Sequence, residues 1–163
     1  RKNVLQNSKN NSHSLSLDLY DQWEAMEKNA QWRFTPPTHV LAAFNQALIE
    51  HKKEGGTKGR YERYKKNCKI ICDGMAKLGF KQLLSNELQA PIIITFLQPK
   101  VPNFDFKKFY NSLSDKGFLI YPGKLTVADT FRIGCIGSLY EKDMSEAILA
   151  VENTLSDLEI KLI

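Results

Sequence analysis

One arginine sits inside an otherwise apolar run, T-F-R-I-G-C-I-G from Thr130 to Gly137. The aromatic and β-branched content of that run is what a strand requires. Side chains on a strand alternate, so Phe131, Ile133 and Cys135 share one face and Arg132, Gly134 and Ile136 the other. A guanidinium on a half-buried strand costs desolvation energy unless an anion or a hydrogen-bond acceptor meets it. Gly134, on the same face, carries nothing that would obstruct a ligand approaching Arg132. One reading is a fixed anion-binding fork. The competing reading is an internal ion pair with a glutamate or aspartate, a common structural arrangement.

Other chemistries find little support. Cys68 and Cys72 lie one helical turn apart, but no second cysteine pair completes a metal site, and His13, His39 and His51 are scattered. Packing in a core is the expected role of these thiols. A G-x-S-x-G elbow is missing, no histidine stands in a catalytic context, and no phosphate-cradling glycine loop occurs. The net charge of +5 is concentrated between His51 and Lys69. Eight basic residues there face two acids, Glu54 and Glu62, giving +6 and leaving −1 for the remainder. A basic helix grips nucleic acid in some proteins. No recognition motif accompanies this one, so a solvated helix face is the expectation.

The elements that must position Arg132 follow from periodicity. Ser14 to Leu19 reads as a short strand or an extended lead into a helix over Asp18–Asn29, with Leu19, Trp23 and Met26 on one side. Pro36 and Pro37 break that helix. Thr38 is the expected N-cap of the next, which is expected to bury Val40, Leu41, Phe44 and Leu48 and to end near Gly55 and Gly56. The helix after it has the cleanest pattern: Tyr61, Tyr64, Cys68, Ile71, Met75 and Leu78 recur at steps of three and four until Gly79. Pro91–Leu97 reads as a buried strand. Phe104–Ser114 has helical spacing, Phe118–Tyr121 and Thr130–Ile136 read as strands, and Ser138 with Glu141 fits a capping box before a last helix. This mixture predicts an α+β fold, an open sheet covered on one face by helices. The first thirty-odd residues look like the tail of another domain plus a connector.

Apolar and charged fractions of 42% and 25% are those of an ordinary folded chain. No apolar run reaches membrane-spanning length and no secretory-type leader is seen. With three cysteines, an odd number, this points to reduced thiols and a cytoplasmic location. The chain opens on Arg1 and runs into a polar stretch, Gln6–Ser14, which is what truncation or cleavage would leave.

Three stretches carry a resemblance: L-D-L-Y-D-Q-W-E-A-M-E from Leu17, W-R-F-T-P-P-T-H-V from Trp32, and Y-P-G-K-L-T-V-A-D-T-F-R-I-G-C-I-G from Tyr121. Together they resemble the 2-aminoethylphosphonate–pyruvate aminotransferases, pyridoxal 5'-phosphate enzymes of the aspartate aminotransferase fold, in the branch that holds the alanine–glyoxylate and serine–pyruvate aminotransferases. The resemblance runs from Ser14 to the end of the chain. It implies a C-terminal portion of such an enzyme, with residues 1–35 closing the large cofactor domain and 36–163 forming the C-terminal small domain. It also implies that the lysine binding the cofactor covalently lies upstream of Arg1, so no lysine here takes that role and no catalytic residue is assigned.

By the same resemblance, Arg132 is expected to receive the acidic group of the substrate. A planar fork suits a carboxylate or a phosphonate through paired hydrogen bonds. Thr35 matches a threonine that reaches the cofactor phosphate of the partner subunit in a homodimer; its plain alternative is a turn hydroxyl before two prolines. Lys124, after Y-P-G, lies near the site without an assigned role. The expected substrates are 2-aminoethylphosphonate and pyruvate, with no nucleic acid and no membrane involved. A related aminotransferase acting on alanine or serine, and a small basic nucleic-acid-binding module, are the alternatives.

Overall fold

The computed structural model describes residues 1–123 and 128–162, and Lys124 lies outside them. The chain divides into two compact units, Arg1–Glu50 and His51–Ile163.

The first unit contains α1 (Lys2–Gln6), α2 (Leu19–Asn29) and most of α3 (Thr38–Lys53), which runs across the division. Ser14–Leu19 forms no strand. Residues 14–18 form a bent rather than extended lead in which Leu17 N donates to Ser14 Oγ (3.2 Å), and Asp18 caps α2 by accepting from Asp21 N at 3.0 Å. Two expectations for α3 are corrected. Thr38 is its first helical residue rather than its cap, the carbonyl of Pro37 accepting from Leu41 N at 3.0 Å. Its apolar stripe is not buried either: Val40 is 66% exposed and Phe44 60%, and Leu41 and Leu48 are exposed as well. The pattern of an amphipathic helix is present, but this small unit has too little apolar surface to cover it.

The second unit holds the core. Its elements are α4 (Gly56–Lys77), β1 (Ile93–Leu97), α5 (Phe106–Asp115), β2 (Tyr121–Pro122), β3 (Thr130–Gly134) and α6 (Glu141–Asp157). The strands form an antiparallel sheet in the order β1-β3-β2, placing β3 in the middle. Thr95 and Tyr121 flank Arg132 on the two sides, and Phe96 and Pro122 flank Phe131. The outer edge of β1 is closed by backbone bonds to the segment before it, Leu83 N to Thr95 O and Leu97 N to Lys81 O, both 2.9 Å. Expected strand Phe118–Tyr121 shrinks to Tyr121–Pro122, because pairing begins only where the chain meets Phe131 and Arg132. Gly123 follows at a crowded point, where an added Cβ would collide with Thr130, and Gly123 N donates to Thr130 O at 2.8 Å.

Helices α4, α5 and α6 contribute Ile71, Met75, Phe109, Leu113 and Val151 to a core that meets Ile94, Phe96, Phe131 and Ile133 on one face of the sheet. This is the expected α+β arrangement, one sheet with helices on one side. At its centre is an aromatic cluster. The Phe131 ring lies 5.6 Å from Phe80 and Phe96, 5.7 Å from Phe109 and 6.0 Å from Phe106. On α4 the buried stripe starts only at Asn67, and Tyr61 at its N-terminal end is half exposed. Helix α6 begins at Glu141, later than the Ser138–Glu141 box would place it; Asp143 Oδ2 accepts from Tyr140 N at 2.7 Å and fixes the start there.

Removing the Phe131 ring should therefore be severe. We expect Phe131→Ala to lose about 3–5 kcal/mol of stability by urea unfolding followed by circular dichroism. Leu119→Ala, at a side chain 72% exposed, should stay within about 0.5 kcal/mol.

Candidate anion-binding site

Phe131 and Arg132 are successive residues on the central strand, so burying one ring in the aromatic cluster points the next side chain to the uncovered face. Arg132 is half-buried there, opposite Thr95 and Tyr121. Its Nη2 donates to the carbonyl of Pro122 at 3.2 Å, which anchors one corner of the guanidinium. Its Nε is buried and has no hydrogen-bond partner among the described residues. Among the described residues no aspartate or glutamate forms an ion pair with it, so the internal salt bridge that competes as an explanation does not form. Two residues on, a Cβ added at Gly134 would touch nothing within 4 Å. A guanidinium tethered at Nη2, without a carboxylate partner among the described residues and on the same face as the open space at Gly134, is an arrangement an anion completes.

Thr35 lies in the irregular segment between α2 and α3 of the first unit, exposed, and its hydroxyl makes no hydrogen bond among the described residues. Arg33 holds that segment, its guanidinium 3.2 Å from Asp21 Oδ2 and 3.3 Å from Leu15 O. A free hydroxyl of this kind fits one contact to a phosphate group.

The second unit also contains a cleft of about 400 Å³, lined by apolar side chains including Tyr121, Ile133, Ile136, Leu139 and Met144. Arg132 is not part of its lining. The one acid there, Asp143, already accepts from Tyr140 N. The three cysteines are free and buried, with Cys68 and Cys72 Sγ 3.9 Å apart. The hydrogen bond to Cys68 and burial both push the Cys135 thiol up. Among the described residues no group of three or more metal-ligating side chains is suited to hold an ion.

Charge reading alone overlooked a polar network on α4. Glu54 accepts from Arg60 Nε at 2.8 Å and from Arg63 Nε at 2.6 Å. Arg63 Nη1 then donates to the carbonyls of Gly137 (2.6 Å) and Leu139 (2.8 Å), just past β3. Asn67, fully buried, donates to Cys135 O and Leu139 O at 3.2 and 2.9 Å. The only sequence signal for this network was a lone asparagine on the apolar side of α4. Further along the basic stretch Lys66 approaches Glu141 and Lys69 meets Asp73. Half of the eight cations counted from sequence are thus engaged with acids, which weakens the nucleic-acid alternative.

A scan against protein-family models finds no match. In fold, the chain resembles aminotransferases. It superimposes on ureidoglycine–glyoxylate aminotransferase from Bacillus subtilis with a TM-score of 0.74 at 17% identity, covering 99% of this chain and 42% of that one. Alanine–glyoxylate aminotransferase from Nostoc sp. gives 0.72 at 18% identity, covering 88% and 39%. At this identity the likeness concerns fold alone. Sequence relationship is closer and more specific. The chain is 49% identical over 162 residues to 2-aminoethylphosphonate–pyruvate transaminase 1 of Cupriavidus pinatubonensis, and 51% identical over 160 residues to the 2-aminoethylphosphonate–pyruvate transaminase of Rhizobium meliloti. These matches take in 99% and 98% of this chain but 43% and 42% of the relatives. The chain is a homologue of the 2-aminoethylphosphonate–pyruvate transaminases that spans less than half their length.

The Glu54 network has a pH signature. Its hydrogen bonds to Arg63 and Arg60 lower the Glu54 carboxyl from 4.5 to about 2. Because the folded value is depressed, the stabilisation is fully present above the ordinary carboxylate range and is lost as pH falls from about 4.5 through about 2. Acid titration of the far-ultraviolet signal should show Glu54→Gln losing part of the wild-type decline in that window. Identical acid limbs in the two proteins would rule out this contribution.

Proposed function

We propose that this chain is the C-terminal portion of a pyridoxal-phosphate-dependent transaminase that moves the amino group of 2-aminoethylphosphonate to pyruvate, giving phosphonoacetaldehyde and alanine. In this reading residues 1–35 close the large domain and 36–163 form the small domain. The observation that carries the proposal is Arg132 on the sheet face opposite the helices, tethered at Nη2 to Pro122 and without a carboxylate partner among the described residues.

Both substrates present an acidic group: the phosphonate of the amino donor and the carboxylate of pyruvate. Arg132 holds each in turn, since a planar guanidinium matches either anion by two parallel hydrogen bonds. The Pro122 carbonyl keeps the fork from following the departing anion, and Gly134 leaves room for the substrate chain. Thr35 supplies a hydroxyl to the cofactor phosphate of the partner subunit. When bound, pyridoxal phosphate supplies an electron sink for the bond changes at the amine carbon. None of the lysines of this chain forms the covalent link to it. The exposed apolar stripe of α3 suits a homodimer, because large uncovered apolar stripes mark association surfaces. Free buried thiols suit a reducing, cytoplasmic setting, and no helix among the described residues is long and apolar enough to cross a membrane.

In the complete subunit, Arg132→Lys should raise KM for both substrates about ten- to a hundredfold, the loss of roughly 1.5–3 kcal/mol of charged hydrogen bonding. Unchanged KM values for both would remove Arg132 from the site. A screen of amino donors separates this activity from an alanine or serine aminotransferase: 2-aminoethylphosphonate should be preferred. The 163-residue chain alone, mixed with pyridoxal phosphate, should show no transamination. A borohydride-reducible adduct at one specific lysine would contradict that assignment.

A further inference from the structure

Strand β3 is unevenly supported. Its pairing with β2 covers Phe131 and Arg132 and stops there, so beyond Arg132 the strand has, among the described residues, a ladder partner only on the β1 side. That side continues through Gly134 opposite Ile93 and ends with Cys135 N on Ile92 O at 3.1 Å. Past this point the chain bends through Gly137, at φ +101°, toward α6. Unpaired carbonyls at such an exit need donors from elsewhere, and they come from one helix.

Asn67 splits its amide group between Cys135 O and Leu139 O, and Arg63 places one nitrogen between Gly137 O and Leu139 O. Tyr64 Oη accepts from Gly137 N at 3.4 Å. The Arg63 guanidinium is itself fixed from three directions. Glu54 takes its Nε, and the Tyr64 and Tyr140 rings lie 4.9 Å from its central carbon. Its side chain is only 14% exposed. A cation so confined is a rigid strut between the start of α4 and the strand exit, rather than a solvated surface charge.

We propose that Arg63 is a positioning residue for substrate anions, acting through the Cys135–Leu139 turn to fix the path of β3 and with it the guanidinium of Arg132. This rests on the assignment of Arg132 as the substrate anion's ligand. Arg132 is three residues before Cys135, and the only side-chain hydrogen bond it makes among the described residues is to Pro122, so its aim depends on how the strand is held at its far end. Lysine cannot substitute, because one ammonium on a flexible stem does not reach Glu54 and two carbonyls in the same plane.

The test compares Arg63→Lys, Arg63→Ala and Arg132→Lys in the complete transaminase subunit, measuring KM and kcat for 2-aminoethylphosphonate and pyruvate together with the melting temperature. Loosening a binding group by a fraction of an ångström should raise both KM values about tenfold in Arg63→Lys while kcat stays within about twofold. Guanidinium ion added to Arg63→Ala should lower its KM values again. Should Arg63→Ala fail to fold, Arg63→Lys decides alone. A lowered melting temperature with both KM values unchanged would make Arg63 a structural strut only and overturn the proposal. If Arg132→Lys raises KM and neither Arg63 variant does, this inference falls while the Arg132 assignment stands; if Arg132→Lys itself has no effect, it is that assignment which fails.

Discussion

The burial of one phenylalanine ring fixes the direction of the residue that follows it. Phe131 sits among four other aromatic rings within about 6 Å, and its strand is central in the sheet. Because strand side chains alternate, sealing Phe131 on the helix-covered face obliges Arg132 to stand on the other. A slip of one residue would exchange them and drive a guanidinium into an aromatic core. The register is therefore strongly enforced by the hydrophobic side, and the polar side inherits its accuracy from it.

That accuracy extends along the strand only as far as its neighbours do. Pairing on the β2 side is two residues long, and Pro122 within it offers a carbonyl to Arg132 but no amide proton to the ladder. The exit of β3 is held instead by side chains of α4. Glu54, Arg63 and Asn67 form a continuous polar chain from the α3–α4 junction to the turn before α6. The charge of the basic stretch thus divides between buried structural work at Arg63 and solvated lysines further out.

Uncovered apolar surface is the other theme. The α3 stripe and the cleft beside β2 both present side chains that water does not favour. They accompany a chain that matches 42–43% of the length of its relatives.

Periodicity alone settled most of the elements. The helix carrying the steps of three and four, the strand within Pro91–Leu97 and the alternation around Arg132 were all read from sequence and form, with β1 trimmed to Ile93–Leu97 and α4 buried only from Asn67 onward. Local pattern reports what a segment wants to bury, which is why the α+β arrangement and the two faces of β3 were readable in advance. It does not report whether a partner surface is available, so the α3 stripe was expected inside and lies exposed. Nor does it report distant pairing: β2 is short because its partner strand dictates where bonds form. Which groups hold Arg63 was likewise invisible, since it donates to carbonyls more than seventy residues away. Hydrophobic periodicity is a property of neighbours along the chain. The partner of a buried charge is set by the path of the whole fold.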